Sequence, residues 1–325
     1  MDTLNAIVSS MKLSGSVFLS AEFSSPWCVT SCIHPSDCAA YFPEPRHVIS
    51  YHYVQSGELL CSVATGAPAR IAAGQILLLP RNDRHLLGSD LSMGAIDARD
   101  LVIPQGDGQM LRIKHGGGGE RTRILCGFLG TLTPVDPFLL SLPSILVIDA
   151  SEGASGAWLA SSIRFASEGG HGSPELVSRL AELLFAEAVR QYLEALPPGQ
   201  SGWLDGLRDP HVSCALGLVH ARYAEDWTTD TLARQAGLSR SAFAERFTRF
   251  LGDPPMRYLA RHRMSVAADL LKDGRHSVCN VAYSIGFNSE AAFNRAFKKE
   301  FGVPPGAWRS GCRGTPSPAR LPADG

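Results

Sequence analysis

The stretch from Val281 to Arg309, VAYSIGFNSEAAFNRAFKKEFGVPPGAWR, decides the fold of the C-terminal third of the chain. Ser277 stands before a short apolar segment that predicts one helix, and Gly286 follows where the chain turns. Ser289 then provides a second N-cap, and apolar residues spaced three and four apart predict a second helix to about Phe301. A helix, a turn that contains glycine and a capped second helix form the pattern of a helix-turn-helix.

The same plan occurs once more upstream. Thr229 to Ala236 predicts a short helix, Gly237 makes the turn, and Ser239 caps a helix that runs to about Leu251. One copy of this pattern is weak evidence, because any two packed helices can produce it, but two copies with the matching turns GLSRS and GFNSE are specific. Between them, Pro254 to Leu271 predicts one connecting helix. If it holds the two second helices about 34 Å apart, both enter successive major grooves of DNA.

Both units resemble those of the AraC/XylS family of transcription regulators. The second carries the long pattern A-x-x-x-G-F-x-S-x-x-x-F-x-R-x-F-K-x-x-F-G-x-x-P-x-x-x-R, and Leu232 to Leu271 resembles the family's first unit and connecting helix. The resemblance implies an all-α DNA-binding domain over residues 206–310, with double-stranded DNA and RNA polymerase as partners. It implies a transcription regulator, either an activator or a repressor, and not an enzyme.

The resemblance also implies which side chains contact DNA. Carried over residue by residue, the base-contacting positions are Arg240, Ser241, Ala244 and Glu245 in the first unit, and Glu290, Ala291, Asn294 and Arg295 in the second. Phosphate contacts are expected from helix N-terminal amides and from Arg246, Lys298 and Lys299. Arg295 is the best candidate for a guanine contact, because a guanidinium can address O6 and N7 together. Glu245 and Glu290 can accept from cytosine N4 but repel phosphate, so the base preference stays open.

Charge is distributed unevenly along the chain. Residues 206–310 contain fifteen Lys and Arg and ten Asp and Glu, whereas the whole chain has a net charge of −1. This asymmetry favours nucleic acid as the partner of the C-terminal part. The excess of positive charge is small, however. It argues against a nucleoid-type protein without sequence preference, because such binding rests on neutralising phosphates.

The composition is 45% hydrophobic and 19% charged, which is typical of soluble globular domains. The N-terminus lacks the pattern of a targeting segment, and no apolar run reaches the length of about eighteen residues that a membrane span needs. We therefore expect a cytoplasmic protein. Residues 311–325 are rich in Pro, Gly and Ala and predict a disordered tail.

The first 150 residues predict strands. Short apolar runs such as Gln75 to Pro80 alternate with turn signals at a spacing that indicates a small antiparallel barrel or sandwich. Over residues 151–205 the pattern becomes helical, and Glu175 to Leu196 carries a single apolar stripe. Such a helix either covers the β domain or pairs with a copy of itself, so a homodimer is one expectation.

The segment from Gly74 to His85, GQILLLPRNDRH, resembles the second motif of the cupins. Residues 1–150 as a whole resemble the cupin-type sensor domain found in a subset of the same regulator family. The resemblance implies an α+β protein with a cupin-like antiparallel β-barrel, a helical linker and an all-α pair of helix-turn-helix units. It further implies that the N-terminal domain senses an effector, which shifts the chain between DNA-competent and incompetent states.

Cupins often bind a metal ion, and His52 and His85 stand at fitting places for two of its ligands. Val54 occupies the place of the second histidine of the first motif, which argues against an iron or manganese site. Cys126 on a later strand can supply a thiolate, and two imidazoles with a thiolate favour zinc. His47 is a fourth candidate. The alternative is that these histidines are interior side chains bonded to backbone and that Cys126 is a buried hydrophobe.

Five of the eight cysteines lie before residue 130, and none forms a C-x-x-C pair. An exposed thiol with a lowered pKa reports oxidation, and Cys28 and Cys126 are the candidates for such a redox sensor. The third possibility for the effector is a small organic molecule in an apolar interior.

The alternative class of function is a cupin-type metal-dependent enzyme with a helical appendage. Such an enzyme needs an open metal site with an acid or base beside it. The incomplete first motif argues against it, and it leaves the two helix-turn-helix units unexplained.

Overall fold

The computed structural model describes residues 3–38, 45–64, 66–103, 110–131, 137–150, 157–158, 161, 163, 174–197 and 202–313. The chain divides into two compact units. One is Met11–Leu204, and the other combines Met1–Ser10 with Asp205–Gly325. Strands dominate the first unit and the described part of the second is helical, which confirms the predicted α+β class.

The strands of the first unit form two sheets. In chain order they are β1 Ser14–Ser24, β2 Cys28–Ser31, β3 His47–Ser56, β4 Glu58–Val63, β5 Ala69–Ala72, β6 Gln75–Leu79, β7 His85–Gly88, β8 Ile96–Asp97, β9 Val102–Ile103, β10 Leu111–Gly116, β11 Arg121–Thr131 and β12 Leu146–Asp149. Within the described residues, one sheet has the order β12-β6-β3-β11-β1-β10-β9 and the other the order β5-β4-β7-β2-β8. The predicted antiparallel pairing holds for most neighbours. Two parallel pairs, β1 with β10 and β2 with β8, were not anticipated, because turn signals indicate hairpins but not long crossovers.

The two sheets enclose an apolar core, and a smaller buried cluster is formed by Ile33, Cys38, Val48 and Phe128. Strand β4 shows the expected alternation, with Leu59, Cys61 and Val63 buried between more exposed neighbours. The rings of Phe23 and Trp27 stack in this core with their centroids 4.0 Å apart. Core residues come from both sheets, so the two sheets pack face to face around this core.

Among the described residues of the first unit, Pro137–Ser141 forms helix α2 and Pro174–Ala195 forms helix α3. Helix α3 matches the predicted helix closely and packs on β1 and β12. Leu184 and Ala188 on its predicted apolar stripe are buried, whereas Leu183 on the same stripe is 48% exposed. At least part of the stripe therefore covers the β domain, and dimerisation through this helix stays a prediction.

The remaining helices are α1 Thr3–Ser10, α4 Gly202–Arg208, α5 Pro210–Ala221, α6 Thr229–Gln235, α7 Arg240–Leu251, α8 Pro255–Asp273, α9 Val278–Ser284, α10 Glu290–Phe301 and α11 Pro305–Arg313. Helices α6 and α7 form the first helix-turn-helix, α8 is the connecting helix, and α9 and α10 form the second. Helix α11 corrects the predicted start of the tail, because it continues to Arg313. Residues 314–325 lie outside the described residues.

The predicted caps of both units are confirmed. The side chains of Ser239, Ser277 and Ser289 each accept a hydrogen bond from a backbone N–H in the first turn of the helix that follows. The phenylalanines spaced four apart on α7 and α10 point into the core. Phe243, Phe247, Phe293 and Phe297 are all fully buried. The opposite face of each helix is consequently left for solvent or a partner.

Helix α1 groups with the helical unit, although residues 1–150 had been expected to form one domain. Ile7 and Val8 are buried, and the helix packs on α5. At its end, Ser10 Oγ lies 2.8 Å from His220 Nδ1, and His220 Nε2 lies 2.8 Å from the hydroxyl of Tyr258. This hydrogen-bonded series joins α1, α5 and the connecting helix α8.

Arg263 on α8 has a role that no motif indicates. Its guanidinium donates to the carbonyl oxygens of Tyr223 at 2.7 Å, Glu225 at 2.6 Å and Gly286 at 3.3 Å. Two of these carbonyls precede the first helix-turn-helix, and the third lies in the turn of the second. One side chain therefore ties both units to the connecting helix.

The turn glycines of the two units face different surroundings. Gly237 and Gly286 both have positive φ, +73° and +85°. A Cβ at Gly286 would lie 2.3 Å from the carbonyl oxygen of Ala224, whereas at Gly237 the nearest atom is 4.0 Å away, on His211. Of these two positions, only Gly286 needs glycine for two reasons: its positive φ and the absence of space for a Cβ atom.

We expect Gly286→Ala to destabilise the protein more than Gly237→Ala. The second substitution adds only left-handed strain, about 1 kcal/mol, whereas the first adds a backbone clash and costs about 2–4 kcal/mol. Urea unfolding of the full chain followed by circular dichroism measures both. Equal losses in the two variants would contradict the close approach of Ala224 to Gly286.

Candidate DNA-contacting surface and candidate sensor site

The predicted base-contacting residues lie at the N-terminal ends of α7 and α10. Arg240, Ser241, Glu245, Glu290, Ala291 and Arg295 are exposed, and Ala244 and Asn294 are half-buried. In helix-turn-helix proteins the N-terminal residues of the second helix contact base edges. The eight positions lie in the first half of the second helix of each unit, and the contacts themselves stay a prediction.

Arg246, predicted to contact phosphate, has a different partner. Its Nε donates to Asp209 Oδ2 at 2.6 Å, and a second guanidinium nitrogen contacts the same oxygen. Asp209 is buried and also accepts from the backbone N–H groups of His211 and Val212, which caps α5. Although burial opposes it, the hydrogen bond from Arg246 lowers the pKa of Asp209. The guanidinium thus holds α7 on α5, and the structure gives no support to a phosphate contact by Arg246.

Lys298 and Lys299 are exposed, as a phosphate contact requires. They lie in the last turn of α10, where a positive charge also interacts favourably with the helix dipole. Their position therefore has a structural as well as a functional explanation.

In the first unit the three predicted metal ligands are brought together. His52 on β3 stands directly opposite Cys126 on β11. His52 Nδ1 lies 3.1 Å from Cys126 Sγ, and His52 Nε2 lies 3.1 Å from His85 Nε2. His85 Nδ1 lies 2.9 Å from the carbonyl oxygen of Asp83. The four groups form one continuous hydrogen-bonded series, named here the buried polar chain.

The protonation of the buried polar chain follows from burial. Burial lowers the pKa of His52 and of His85, so both are neutral, and it raises the pKa of the Cys126 thiol to about 12. The carbonyl of Asp83 can only accept, so His85 Nδ1 carries the proton and its Nε2 accepts. His52 Nε2 then donates to His85, and the Cys126 thiol donates to His52 Nδ1. All protons point in one direction along the series.

This geometry does not fit a three-ligand zinc site. Cys126 and His85 face opposite ring nitrogens of His52, so the three donors do not converge on one point. Over the described ranges no group of three or more His, Cys, Asp and Glu side chains is arranged to hold a metal ion. His47, the fourth candidate, has its Nε2 2.6 Å from the carbonyl oxygen of Pro80. Zinc binding stays a prediction that would require His52 or Cys126 to reorient.

Cys28 and Cys126 lack the features on which the redox hypothesis rests. Both are buried, and burial raises the pKa of each thiol. A reactive sensor cysteine is instead exposed and has a lowered pKa. Cys32 is more exposed, but burial also raises its pKa even though Arg84 and Arg99 lie nearby.

Ser50 adds a polar group that the sequence did not indicate. It lies on β3 two residues before His52 and therefore on the same face of the strand. Ser50 is fully buried, and its hydroxyl has no hydrogen-bond partner in the part of the chain that the structure describes. An unpartnered buried hydroxyl is costly, by about 1–3 kcal/mol.

The buried histidines make stability depend on pH. The pKa of His52 and of His85 is lowered in the folded chain below the ordinary value of 6.5. Below about pH 6.5 these histidines become protonated in the unfolded chain but stay neutral in the folded chain. Their contribution to the free energy of unfolding is therefore complete above about pH 6.5 and decreases as the pH drops.

We expect the melting temperature to decrease as the pH is lowered from about 7 to about 5.5. His85→Gln should flatten this fall, whereas His115→Gln, at a half-exposed position, serves as control. Calorimetry showing the same pH slope for His85→Gln and wild type would contradict the assignment.

Comparison with known proteins places both halves of the chain. A family model described as Cupin matches residues 2–194, and one described as helix-turn-helix domain matches residues 232–311. Among the described residues, no helix has the length and apolar character needed to cross a membrane.

The relatives include regulators that match almost end to end. A putative AraC-like transcription regulator of Streptomyces lividans is 32% identical over 276 residues, which is 83% of this chain and 89% of the relative. The HTH-type transcriptional regulator AlkR of Acinetobacter baylyi is 27% identical over 320 residues, 95% of this chain and 99% of the relative. The crystallised DNA-binding domain of AdpA, in complex with a target DNA, is 31% identical over 32% of this chain and 94% of that chain, with a TM-score of 0.31. From the cupin match and the Streptomyces relative, the chain belongs to the AraC-like transcription regulators, with a cupin-type N-terminal domain and a C-terminal helix-turn-helix domain that binds DNA.

Proposed function

We propose that this regulator controls its binding to DNA through the buried polar chain of its cupin-type domain. The observation that carries the proposal is the series Cys126–His52–His85–Asp83 at the apolar core. The unpartnered hydroxyl of Ser50 lies two residues before His52 on the same strand. Apolar side chains of similar volume would stabilise such an interior at least as well. A polar series that folding does not need is a candidate for sensing.

The directional protons give the series a way to respond. If a ligand accepts the proton of Cys126, or a metal ion displaces it to solvent, His52 Nδ1 loses its donor and can carry its own proton toward the thiolate. Because the carbonyl of Asp83 keeps His85 Nδ1 protonated, both Nε2 atoms then face each other as acceptors and the hydrogen bond between the two histidines is lost. A small molecule that offers a polar atom to Ser50 would bind on the same strand as His52, next to the buried polar chain in sequence. The effector class that fits this geometry best is therefore a small polar organic molecule. An oxidant would first require exposure of the buried Cys126 thiol, and zinc would require reorientation of its ligands.

An enzymatic role has less support. All four ring nitrogens of His52 and His85 lie within 3.1 Å of a partner, so neither ring offers a free acid or base. An enzyme of the cupin type would need such a group beside an open metal position. We therefore include in the proposal that the chain is not an enzyme.

Two partners besides DNA belong to the proposal. RNA polymerase follows from membership of the regulator family, and the cytoplasm is then the place of action. A second copy of the chain is suggested by Leu183 on α3, which is 48% exposed beside a buried apolar stripe. Analytical sedimentation of the full chain measures whether it forms a dimer.

We expect Lys298→Ala to change the salt dependence of DNA binding and Arg246→Ala to change thermal stability. Lys298→Ala should leave thermal stability unchanged and reduce the salt dependence of DNA binding by about one phosphate contact. Arg246→Ala should cost about 2 kcal/mol of stability, because Asp209 loses its partner, and keep the salt dependence of the folded protein. Anisotropy titrations with the chain's own promoter DNA at several salt concentrations measure this. A reduced salt slope in Arg246→Ala would show that its guanidinium contacts phosphate after all.

The sensor proposal is tested by a matched pair of substitutions at Cys126. Cys126→Ala removes the donor to His52, whereas Cys126→Ser replaces it with a hydroxyl donor. We expect Cys126→Ala to change the affinity of the full chain for its promoter DNA at least about fivefold and Cys126→Ser to stay near wild type. If the series is only part of the core, Cys126→Ala will lower the melting temperature and leave the affinity unchanged, which would refute the proposal.

The variants Cys126→Ala and Cys126→Ser also distinguish the classes of effector. Hydrogen peroxide and zinc chloride serve as probes, with DNA affinity and elemental analysis as readouts. A response of the wild type that is lost in both variants indicates thiol chemistry or metal binding, and about one zinc per chain identifies the latter. A response that persists in Cys126→Ser excludes the thiol as the sensing group.

A further inference from the structure

The segment between α5 and α6, residues 222–227, contacts the second helix-turn-helix unit and leads into the first. Thr228, which follows it, caps the first turn of α6. The ring of Tyr223 packs against the apolar core that α8 shares with α9 and α10. The carbonyl oxygen of Ala224 lies against Gly286 in the turn of the second unit. This segment, named here the bridge segment, therefore connects the start of the first unit with the second unit.

Contacts within the bridge segment make it rigid. The guanidinium of Arg222 donates to the two carboxylate oxygens of Glu225 at 2.6 and 2.7 Å. The same guanidinium lies over the ring of Trp227, 5.2 Å from its centroid. Trp227 is buried, and its Nε1 donates to the carbonyl oxygen of Arg222 at 2.8 Å. Because the two ends of the segment are bonded to each other, a displacement of the segment moves α6 with it.

Arg263 on α8 fastens the bridge segment to the second unit. Two of the carbonyls to which it donates, those of Tyr223 and Glu225, belong to the segment, and the third is that of Gly286. A guanidinium presents its N–H groups in a rigid planar fork, so it sets the directions of all three carbonyls together. Hydrogen bonds from a charged donor are also stronger than those between neutral groups. One side chain therefore holds the start of the first unit in a fixed orientation to the turn of the second.

The fold of each single unit does not depend on this guanidinium. The bond to Glu225 is exposed and those to Tyr223 and Gly286 are partly buried, so water can replace part of the hydrogen bonding. The fully buried rings of Phe243 in the first unit and Phe293 in the second remain packed without it. We expect a chain without the guanidinium to keep both units folded and to lose their fixed relative orientation.

The repeat of the DNA duplex makes this orientation important. Major grooves on one face of B-DNA recur every 10–10.5 base pairs, over about 34–36 Å. One additional base pair between two half-sites therefore shifts the second by about 3.4 Å and rotates it by about 34°. Two units held in one orientation cannot follow such a change. We propose that Arg263 is a positioning residue that fixes the number of base pairs between the two half-sites that this chain binds.

The test measures half-site spacing separately from base preference. Full-length wild-type protein first selects a duplex from a random pool, and sequencing gives its half-sites and their spacing. Anisotropy titrations then compare this duplex with derivatives that have one base pair inserted or removed between the half-sites. We expect the wild type to lose affinity at least about tenfold on either change.

The decisive variant is Arg263→Met, which keeps the length of the side chain and removes every donor. It should lose less than about threefold on the same changes in spacing. In a selection of its own it should accept a broader range of spacings, with the base preferences of both half-sites as in the wild type. Arg263→Lys keeps the charge but not the planar fork, and its tolerance should lie between the two.

Arg261→Met on the same helix is the matched control. Its guanidinium contacts Asp253 in the turn between α7 and α8 and makes no contact with the bridge segment among the bonds that the structure describes. This variant should keep the wild-type spacing preference even if it loses stability. Circular dichroism checks that each variant is folded. If Arg263→Met does not fold, the comparison of Arg263→Lys with Arg261→Met decides the question.

The outcomes separate positioning from a general structural role. If the folded Arg263 variants lose as much affinity as the wild type on a change of spacing, the inference is wrong. If base preferences within the half-sites change as well, the guanidinium supports the second helices themselves, and the positioning role is wrong. If the wild type binds all spacings equally, the inference is wrong and DNA binding stands. The inference uses only DNA binding by the two units and is independent of the proposed sensor role.

Discussion

The guanidinium of Arg263 is the interaction on which the DNA-binding unit depends most. It joins the connecting helix to the carbonyls of Tyr223 and Glu225 before the first helix-turn-helix and to that of Gly286 in the second. Burial lowers the pKa of Arg263, but a guanidinium stays protonated, so its donors remain available. The carbonyl of Ala224 lies against Gly286 at the same place. One cation and one glycine therefore fix the turn of the second unit against the segment that precedes the first unit.

Local signals were sufficient to predict these two units. The caps Ser239, Ser277 and Ser289 act on N–H groups a few residues away, so the sequence contains both partners of each interaction. For Arg246, local signals were not sufficient to predict the role of the side chain. Its partner Asp209 lies 37 positions earlier on another helix, and nothing near Arg246 distinguishes a residue that holds α5 from one that contacts phosphate. The parallel pairing of β1 with β10 was likewise not predicted, because the two strands are far apart in sequence.

The sensor site was predicted as a set of residues but not as a geometry. The resemblance to cupins pointed to His52 and His85, and Cys126 was added as a thiolate donor on a later strand. The register of β3 with β11 confirms that His52 and Cys126 are neighbours. Whether three donors converge on an ion or follow one another depends on which ring nitrogen faces which partner. That choice is made by the turn at Asp83, whose carbonyl accepts from His85, and no sequence motif records it.

The connectivity of the chain offers the proposed sensor a covalent route to the DNA-binding unit. The chain passes between the two compact units after Ser10 and again after Leu204. Strand β1, which follows the first of these crossings, pairs with β11, and its Leu19 stands opposite Cys126. Helix α1, which precedes it, ends at the hydrogen bond between Ser10 and His220 in the helical unit. A shift of β1 caused by a change at Cys126 would therefore act on α1 through a link of only a few residues, without requiring any particular contact between the units.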